Sequence, residues 1–415
     1  MKSASILLSK TGQRPRSLGN AVIIVTLLVL IAPSNIVGLM LALAYAALAG
    51  KGPRRLIPLL IAAALFLASF NSTKAPVSDL YSYQLASEVL ADANFYQLLL
   101  LHGHEPGYYF LNWLYVYQFR FSWASWVFTF SFMFYFLWLT ALRLLVGTLN
   151  LNRSVQLAVI VLAAFFPLVF VQSSHLVRQY IANGIALFGM VRFLTDGRGW
   201  FLFCLAPLFH VVAAIFLVVP FSAWLGQRSR RKAIIFSVVS PLLLILGGRL
   251  IGQSLATLEA LNVPRVLTYG ISRLSQEQFH ELDEVGATAL IFSLISLLAS
   301  LSALACHRSR PISSDPLVSS RLAAFVTFNA VLAGSTMLLA ISGLTEPATR
   351  LFQIVLLQFP FLFAVLAASS HAARLAAIGV GSIMPLAFFV YPSAWEYGDP
   401  GEILLLAYYA FLFQW

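Results

Sequence analysis

The sequence predicts an all-α, polytopic integral membrane protein, and three observations carry this prediction. Hydrophobic residues make up 60% of the 415 residues, charged residues only 10%, and the mean hydropathy is +0.86. Soluble domains carry about 45–50% apolar and about 25% charged residues, so the composition excludes soluble, disordered and fibrous proteins. The apolar residues form long runs, and the basic residues cluster between them, as in the loops of membrane proteins.

Thirteen apolar runs predict about 12–14 transmembrane helices, some of them broken or re-entrant. The runs cover residues 18–32, 34–50, 56–70, 122–146, 154–172, 179–194, 200–225, 233–252, 286–305, 321–343, 349–370, 374–392 and 403–414. The second run follows the first almost at once, so we interpret the pair as a retained hairpin rather than a signal peptide. Because no linker or soluble segment divides the runs, residues 1–415 are predicted to form a single polytopic membrane domain.

The basic residues orient the chain with its N-terminus in the cytoplasm. If the first two runs form a hairpin, then Lys51, Arg54 and Arg55 lie on the cytoplasmic side. Most of the 26 Lys and Arg residues then lie in cytoplasmic loops, and most of the 15 acidic residues lie in extracytoplasmic segments. This arrangement leaves two long extracytoplasmic loops, at residues 71–105 and 253–285.

Two stretches depart from regular spanning helices. Residues 106–121 are too short to cross and are rich in Tyr and Trp, which favour the membrane interface, so we expect an amphipathic or re-entrant helix there. Residues 200–225 carry basic clusters at both ends, and a single crossing would leave one cluster outside. A break near His210 places both clusters inside. Because broken backbone at membrane depth needs protein or water around it, we expect His210 in a cavity.

Ionisable groups at the membrane are costly and often mark functional sites. In the predicted topology, five of them meet at the extracytoplasmic face, namely Asp79, Glu105, Arg178, His210 and Arg350. Each also has a purely structural interpretation. Arg178 and Arg350 could extend to lipid phosphates, and Glu105 could cap its helix. Asp79 could be a loop carboxylate and His210 an interior, hydrogen-bonded side chain. Joint placement on one face favours a site.

Four short motifs follow one another along the chain: Asp79-x-Tyr81-x-Tyr83, Glu105-Pro106-Gly107-Tyr108, Arg178-Gln179-x-x-Ala182 and Phe209-His210. Their order and spacing resemble the EpsG family, membrane proteins of bacterial exopolysaccharide and O-antigen gene clusters that are similar to Wzy-type polymerases. The resemblance extends roughly over residues 20–370. The family often has a basic residue shortly before the first Asp, whereas here the basic residue is Lys74, further upstream.

The resemblance implies a glycosyltransferase of the bacterial inner membrane with its active site facing the periplasm. Such an enzyme transfers a glycan from undecaprenyl diphosphate to the next lipid-linked repeat unit. On the matched motifs, the catalytic residues are expected to be Asp79, Arg178 and His210, and the substrate-binding residues Tyr81, Tyr83, Glu105, Tyr108 and Gln179. Arg350, which lies outside those motifs, is expected to bind substrate because of its position on the same face.

The residue types suit this chemistry on their own terms. Guanidinium groups at Arg178 and Arg350 would bind a diphosphate leaving group and stabilise its developing charge. The acceptor hydroxyl needs a base, and Asp79, Glu105 and His210 all stay open for that role. We expect no metal and no cofactor. The expected partners are the lipid-linked oligosaccharide, the lipid bilayer, and chain-length regulator and flippase proteins, but no nucleic acid.

Two other functions stay open. Another glycosyltransferase, adding one sugar from a polyprenyl-monophosphate donor, would use the same acid and arginines and would differ in product length. A non-enzymatic transporter of lipid-linked oligosaccharides often shows paired repeats and charges deep in several spans, neither of which is clear in this sequence.

Overall fold

The computed structural model describes residues 16–49, 53–74, 79–91, 105–228, 232, 235–236, 239, 283–309, 315–341 and 345–391. Every regular element in these ranges is helical, which confirms the predicted all-α fold. The predicted runs 233–252 and 403–414, and most of the two predicted long loops, lie outside the described residues.

The helices in the first half of the chain are α1 (Arg16–Leu30), α2 (Asn35–Leu48), α3 (Ile57–Ser72), α4 (Asp79–Ala91), α5 (Pro106–Trp113), α6 (Trp123–Thr148), α7 (Arg153–Ala164), α8 (Pro167–His175) and α9 (Val177–Asp196). Those that follow are α10 (Trp200–Leu205), α11 (Val218–Arg228), α12 (Asp283–Ser309), α13 (Pro316–Ile341), α14 (Thr345–Ser369) and α15 (His371–Val390). The first predicted loop is therefore partly helical, since α4 lies within it.

The long helices confirm a polytopic membrane protein. In the described part of the chain, 6 helices are long and apolar enough to cross a membrane. They are α3 with the turn before it, α6, α12, α13, α14 and α15. The pair α7 and α8, bent by 41°, is long and apolar enough only when its two helices are taken together, as one broken span or as a re-entrant loop. The bend falls at Pro167, the first residue of α8, because proline starts a helix well but cannot continue the preceding one.

The predicted hairpin of α1 and α2 forms, but its described helices are shorter than a full membrane span. Its helices have 15 and 14 residues, or about 22 Å each at about 1.5 Å per residue, against a hydrocarbon core of about 30 Å. Ser34 and Asn35 at its tip share a small pocket with Ala62 and Leu65, which lie at the middle of α3. The hairpin is therefore re-entrant and reaches half the depth of α3.

Arginines of the predicted cytoplasmic loops gather at one end of the bundle. Arg54 lies within electrostatic reach of Arg143, and Arg55 within reach of Arg153. Arg153 Nε also donates to the carbonyl of Ala46 at 2.8 Å, near the end of α2. We call this the arginine end, where α3 begins and α6 ends. The opposite end, where α3 ends and α9 begins, is called the site end.

Polar side chains join the helices inside the bundle. The Asn71 amide of α3 donates to Ser131 of α6 at 3.3 Å and to Ser173 of α8 at 3.4 Å. The hydroxyls of Tyr135 and Ser173 lie 2.6 Å apart. In lipid, helix association depends on close packing and interhelical hydrogen bonds rather than on the hydrophobic effect. These contacts therefore fix α3, α6 and α8 relative to one another beneath the site end.

The chain breaks at His210, as the flanking basic clusters predict. After α10 a short 3₁₀ turn ends at Leu208, and the backbone at His210 is extended, with φ −160° and ψ 124°. A second 3₁₀ helix then leads into α11. The rings of Trp200 and Phe221 lie 6.0 Å apart, so the two arms run antiparallel. The break is the tip of a hairpin, which we call the 208–211 tip.

Candidate functional site

The carboxylate of Glu105 reaches the 208–211 tip because α5 docks closely against it. Pro106 begins α5, so Glu105 stands immediately before the first helical residue. A Cβ added to Gly107 would lie 3.1 Å from both the Cβ and the carbonyl oxygen of Leu208. Glycine at this position therefore permits the close approach that sets Glu105 beside the tip.

Glu105 is the centre of the site, and its carboxylate is 3% exposed. Its Oε2 lies 2.6 Å from Nη1 of Arg178 in a salt bridge, and its Oε1 lies 3.7 Å from Nε2 of His210. The backbone N–H of Val211 also donates to this carboxylate. Three of the five predicted ionisable residues are thus brought together by α5, α9 and the 208–211 tip.

The imidazole of His210 faces Glu105. Its Nδ1 accepts a hydrogen bond from the backbone N–H of Val212 at 3.4 Å, which caps the 3₁₀ helix that follows. With Nδ1 acting as an acceptor, the proton of the neutral ring belongs on Nε2, the atom nearest Glu105. His210 therefore caps the helix that follows with Nδ1 and places Nε2 within ion-pair distance of the carboxylate when the ring is protonated.

Arg178 lies among tyrosines. Its guanidinium carbon is 5.0, 5.6 and 5.8 Å from the ring centroids of Tyr83, Tyr108 and Tyr109, distances typical of cation–π contacts. Nη1 also donates to the Tyr109 hydroxyl at 3.0 Å. These contacts hold the guanidinium in place at the start of α9.

Two buried donors at the site lack partners. Within the described ranges, neither Arg178 Nε nor the Tyr108 hydroxyl has a hydrogen-bond partner. A buried donor left unpaired costs about 1–3 kcal/mol, and such groups call for an explanation. Oxygen atoms of a bound ligand would satisfy both donors.

Gln179 and Arg350 form a second pair beside the first. Arg350 Nη1 donates to Gln179 Oε1 at 3.2 Å, and the Gln179 amide donates to the Arg350 carbonyl at 3.0 Å. The pair joins the beginnings of α9 and α14. Arg350 is also close enough to stabilise the negative charge of Glu105, so it faces the same cluster as Arg178.

The motif that starts at Asp79 only partly joins the site. Asp79 begins α4 and is half-buried, and no described residue forms an ion pair with it. Burial and, to a lesser extent, Asp79 raise the pKa of Tyr83, while Arg178 lowers it, so Asp79 lies near Tyr83. Tyr81 is 56% exposed and takes no part in the cluster, because residues two positions apart lie on different faces of a helix.

The environment of Glu105 makes its basicity depend on its partners. Burial raises the pKa of this carboxyl above its ordinary value, while Arg178, Arg350 and the Val211 hydrogen bond act to lower it. If another anion engages Arg178, the carboxylate loses its main counter-charge and its pKa rises further. Glu105 then becomes a stronger base.

Sequence analysis missed Tyr109. This residue follows Tyr108 directly, and only the docking of α5 shows that both rings and one hydroxyl meet Arg178.

Among the described residues, no group of three His, Cys, Asp or Glu side chains could hold a metal ion.

A known protein family matches most of the chain. The sequence model of the EpsG family matches residues 56–410. The match begins and ends later than the span of roughly 20–370 indicated by the motifs, so it omits the α1–α2 hairpin and includes the tail beyond residue 370. No curated protein matches the chain, and no solved structure does.

Proposed function

The chain belongs to the EpsG family, and from this membership we propose that it polymerises undecaprenyl-diphosphate-linked oligosaccharide repeat units into surface polysaccharide. The proposal places the protein in the bacterial inner membrane, with the site end facing the periplasm. One observation supports the proposal. The buried Glu105–Arg178 pair lies with two unpaired donors, Arg178 Nε and the Tyr108 hydroxyl. A base and a positively charged binding site for an anion are adjacent there. Transfer of a glycan from a lipid diphosphate requires both.

The cationic groups would bind the donor. Arg178 and Arg350 both lie near Glu105, and guanidinium groups suit phosphate oxygens because they donate in a planar fork. Arg178 Nε and the Tyr108 hydroxyl supply two further donors. In the reaction, the bond between the anomeric carbon and the diphosphate oxygen breaks, and the lipid diphosphate leaves with the electron pair. Fixed donors stabilise that charge as it develops.

Glu105 is the base in this proposal. The acceptor hydroxyl oxygen forms the new bond to the anomeric carbon, and its proton passes to Glu105. Donor binding draws Arg178 toward the diphosphate and thereby strengthens the buried carboxylate as a base. His210 acts as a positioning residue through its Nε2, and Asp79, on the neighbouring helix, would contact the acceptor sugar.

A deletion strain tests the function. Cells that lack this protein but keep the rest of its polysaccharide gene cluster should accumulate single lipid-linked repeat units, and re-expression should restore a ladder of long polymer on a gel. A changed size of the single repeat would favour the glycosyltransferase that adds one sugar. Repeat units trapped in the cytoplasmic leaflet would favour the transporter.

Reporter fusions test the orientation. Because the positive-inside rule places the arginine end in the cytoplasm, fusions at positions 229 and 309 should read cytoplasmic. Fusions at positions 90, 270 and 398 should read periplasmic, as measured by paired alkaline phosphatase and green fluorescent protein reporters. A cytoplasmic signal at position 90 would contradict the proposal, since it would place α4 and the site end on the wrong side.

Two substitutions separate the capping and positioning roles of His210. In His210→Asn, the short amide oxygen can still accept from the Val212 N–H, since Asn is a good N-cap, but the side chain falls short of Glu105. In His210→Gln, the longer amide can donate to Glu105, but the cap is weakened by about 1 kcal/mol.

We therefore expect His210→Asn to keep the melting temperature of wild type and to lose polymer. His210→Gln should melt lower and retain more polymer. Gel ladders and thermal melts of the purified proteins measure both effects. Normal polymer from His210→Asn would show that the histidine only caps the helix.

A further inference from the structure

Lys74 lies buried at the site end, and no described residue supplies a counter-charge to it. It follows the end of α3 and is 7% exposed. Its Nζ stands 3.9 Å from the centroid of the Phe170 ring and donates to Ser174 Oγ at 3.2 Å. In the described part of the chain, no carboxylate lies within ion-pair distance of it. An ammonium group has three donors, so Nζ keeps capacity for a further acceptor.

A buried ammonium without an anion is unfavourable. Removing such a charge from water costs several kcal/mol unless it is paired, and burial lowers the pKa of Lys74 to about 7. An anion bound beside Nζ would restore the charged form. The ring and the hydroxyl already orient the amine, so the position is prepared for an anionic group.

An apolar cavity of about 200 Å³ lies at mid-depth on the same side of the bundle. Its walls come from α2, α3, α7 and α15 and are wholly apolar, with Met40, Ala63, Phe165 and Phe389 among them. Met40 and Phe389 are exposed at the rim, so the cavity opens toward lipid. Because the α1–α2 hairpin ends at half depth, no part of it covers the site-end half of this face.

A chain of phenylalanine rings links Lys74 to the cavity. Phe170, beneath Lys74, lies 4.9 Å from Phe388. Phe388 in turn lies 5.6 Å from Phe165 and 5.4 Å from Phe389, and both of these rings line the cavity. The amine and the cavity are therefore two ends of one face, formed by α3, the α7–α8 pair and α15.

We propose that this face binds one polyprenyl phosphate lipid, with a phosphate on Lys74 and part of the isoprenoid chain in the cavity. The charge of the amine selects an anionic head, and a single narrow cavity at mid-depth suits one chain rather than the two of a phospholipid. This inference rests on the proposed function, since it assigns a binding site to the lipid part of the proposed substrate. Ser174, the partner of Lys74, precedes Arg178 by four residues across the junction of α8 and α9, so the head group would approach the Glu105–Arg178 pair.

Binding to the purified full-length protein tests the inference. The probes are undecaprenyl phosphate, undecaprenol without a phosphate, and dioleoyl phosphatidylglycerol, measured by native mass spectrometry. Lys74→Met should lower the affinity for undecaprenyl phosphate at least about 10-fold, a loss typical of one charge-assisted hydrogen bond. The affinity for undecaprenol should stay unchanged. Lys74→Arg should recover most of the affinity. A melting temperature at or above that of wild type shows that Lys74→Met is folded.

A rim substitution tests the cavity. Met40→Trp should lower the affinity for both undecaprenyl phosphate and undecaprenol, because the indole fills the opening of the cavity. Ile24→Trp is the matched control, since Ile24 is 55% exposed on α1 and does not line the cavity. It should bind both probes as wild type does.

Two results would overturn the inference. They are wild-type affinity for undecaprenyl phosphate in Lys74→Met, and equal competition by dioleoyl phosphatidylglycerol, which would indicate general lipid contact. Failure of the proposed function looks different. In that case the wild-type protein binds undecaprenyl phosphate in a Lys74-dependent manner but lengthens no chain.

Discussion

Arg178→Lys should reduce chain elongation by about 100-fold, the usual loss when one preorganised donor to a developing oxyanion is removed. Lysine keeps the positive charge but lacks the planar fork. In this protein Nη1 alone donates to Glu105 and to the Tyr109 hydroxyl, and Nε has no hydrogen-bond partner among the described residues. A lysine ammonium placed where Nη1 lies could keep these two bonds, but it supplies no donor at the position of Nε, so we expect the donor site to be lost.

Arg321→Lys is the matched control. Arg321 is also a guanidinium stacked on an aromatic ring, 5.4 Å from the centroid of Phe193, but it lies on α13 near the arginine end. Its replacement should leave elongation within a few-fold of wild type. Polymer length on gels and membrane-protein blots give the comparison. Elongation in Arg178→Lys equal to that in the control would return Arg178 to the role of a lipid anchor.

Glu105→Gln should abolish elongation and leave donor binding intact. The amide keeps the size of the side chain but cannot accept a proton, and general base catalysis contributes about 10²–10⁴-fold. Removing the carboxylate also frees Arg178 from its 2.6 Å partner, so the affinity for undecaprenyl diphosphate should stay equal or rise. This combination of retained binding and lost turnover distinguishes a base from a structural cap.

Asp79→Asn provides the comparison for Glu105→Gln. If Glu105 is the base, Asp79→Asn should retain measurable elongation and should keep the pH dependence of the wild-type rate. Burial raises the pKa of Glu105, so the wild-type rate should fall as the pH drops through a range above that of an ordinary carboxyl. Full activity in Glu105→Gln together with an inactive Asp79→Asn would transfer the role of base to Asp79.

The membrane explains why much of the fold is predictable. Spans need length and apolar composition, so most of the predicted runs correspond to helices of the described chain. The break at His210 is predictable because basic clusters on both sides of one run conflict with a single crossing. The half-depth of the α1–α2 hairpin is not predictable from its composition, because it shows only in the packing of Ser34 and Asn35 beside Ala62 and Leu65.

The sequence predicts which residues of the site share one face of the membrane, but it does not predict their contacts. The joint position of Glu105, Arg178 and His210 follows from the topology. Their pairing depends on the close docking of Gly107 against Leu208, which no spacing reveals. Tyr81 likewise points away from the cluster because α4 turns it to another face of the helix. The spacing of the motif does not predict this, since the sequence predicts a loop at this segment.

Reconstituted elongation tests the central claim most directly. The purified chain is placed in liposomes with one species of undecaprenyl-diphosphate-linked repeat unit and no other protein, and the products are separated by length. We predict a ladder of two and more repeats from wild type and none from Glu105→Gln in matched liposomes. Repeat units that cross the bilayer without growing, or that stay single on either side, would contradict the account.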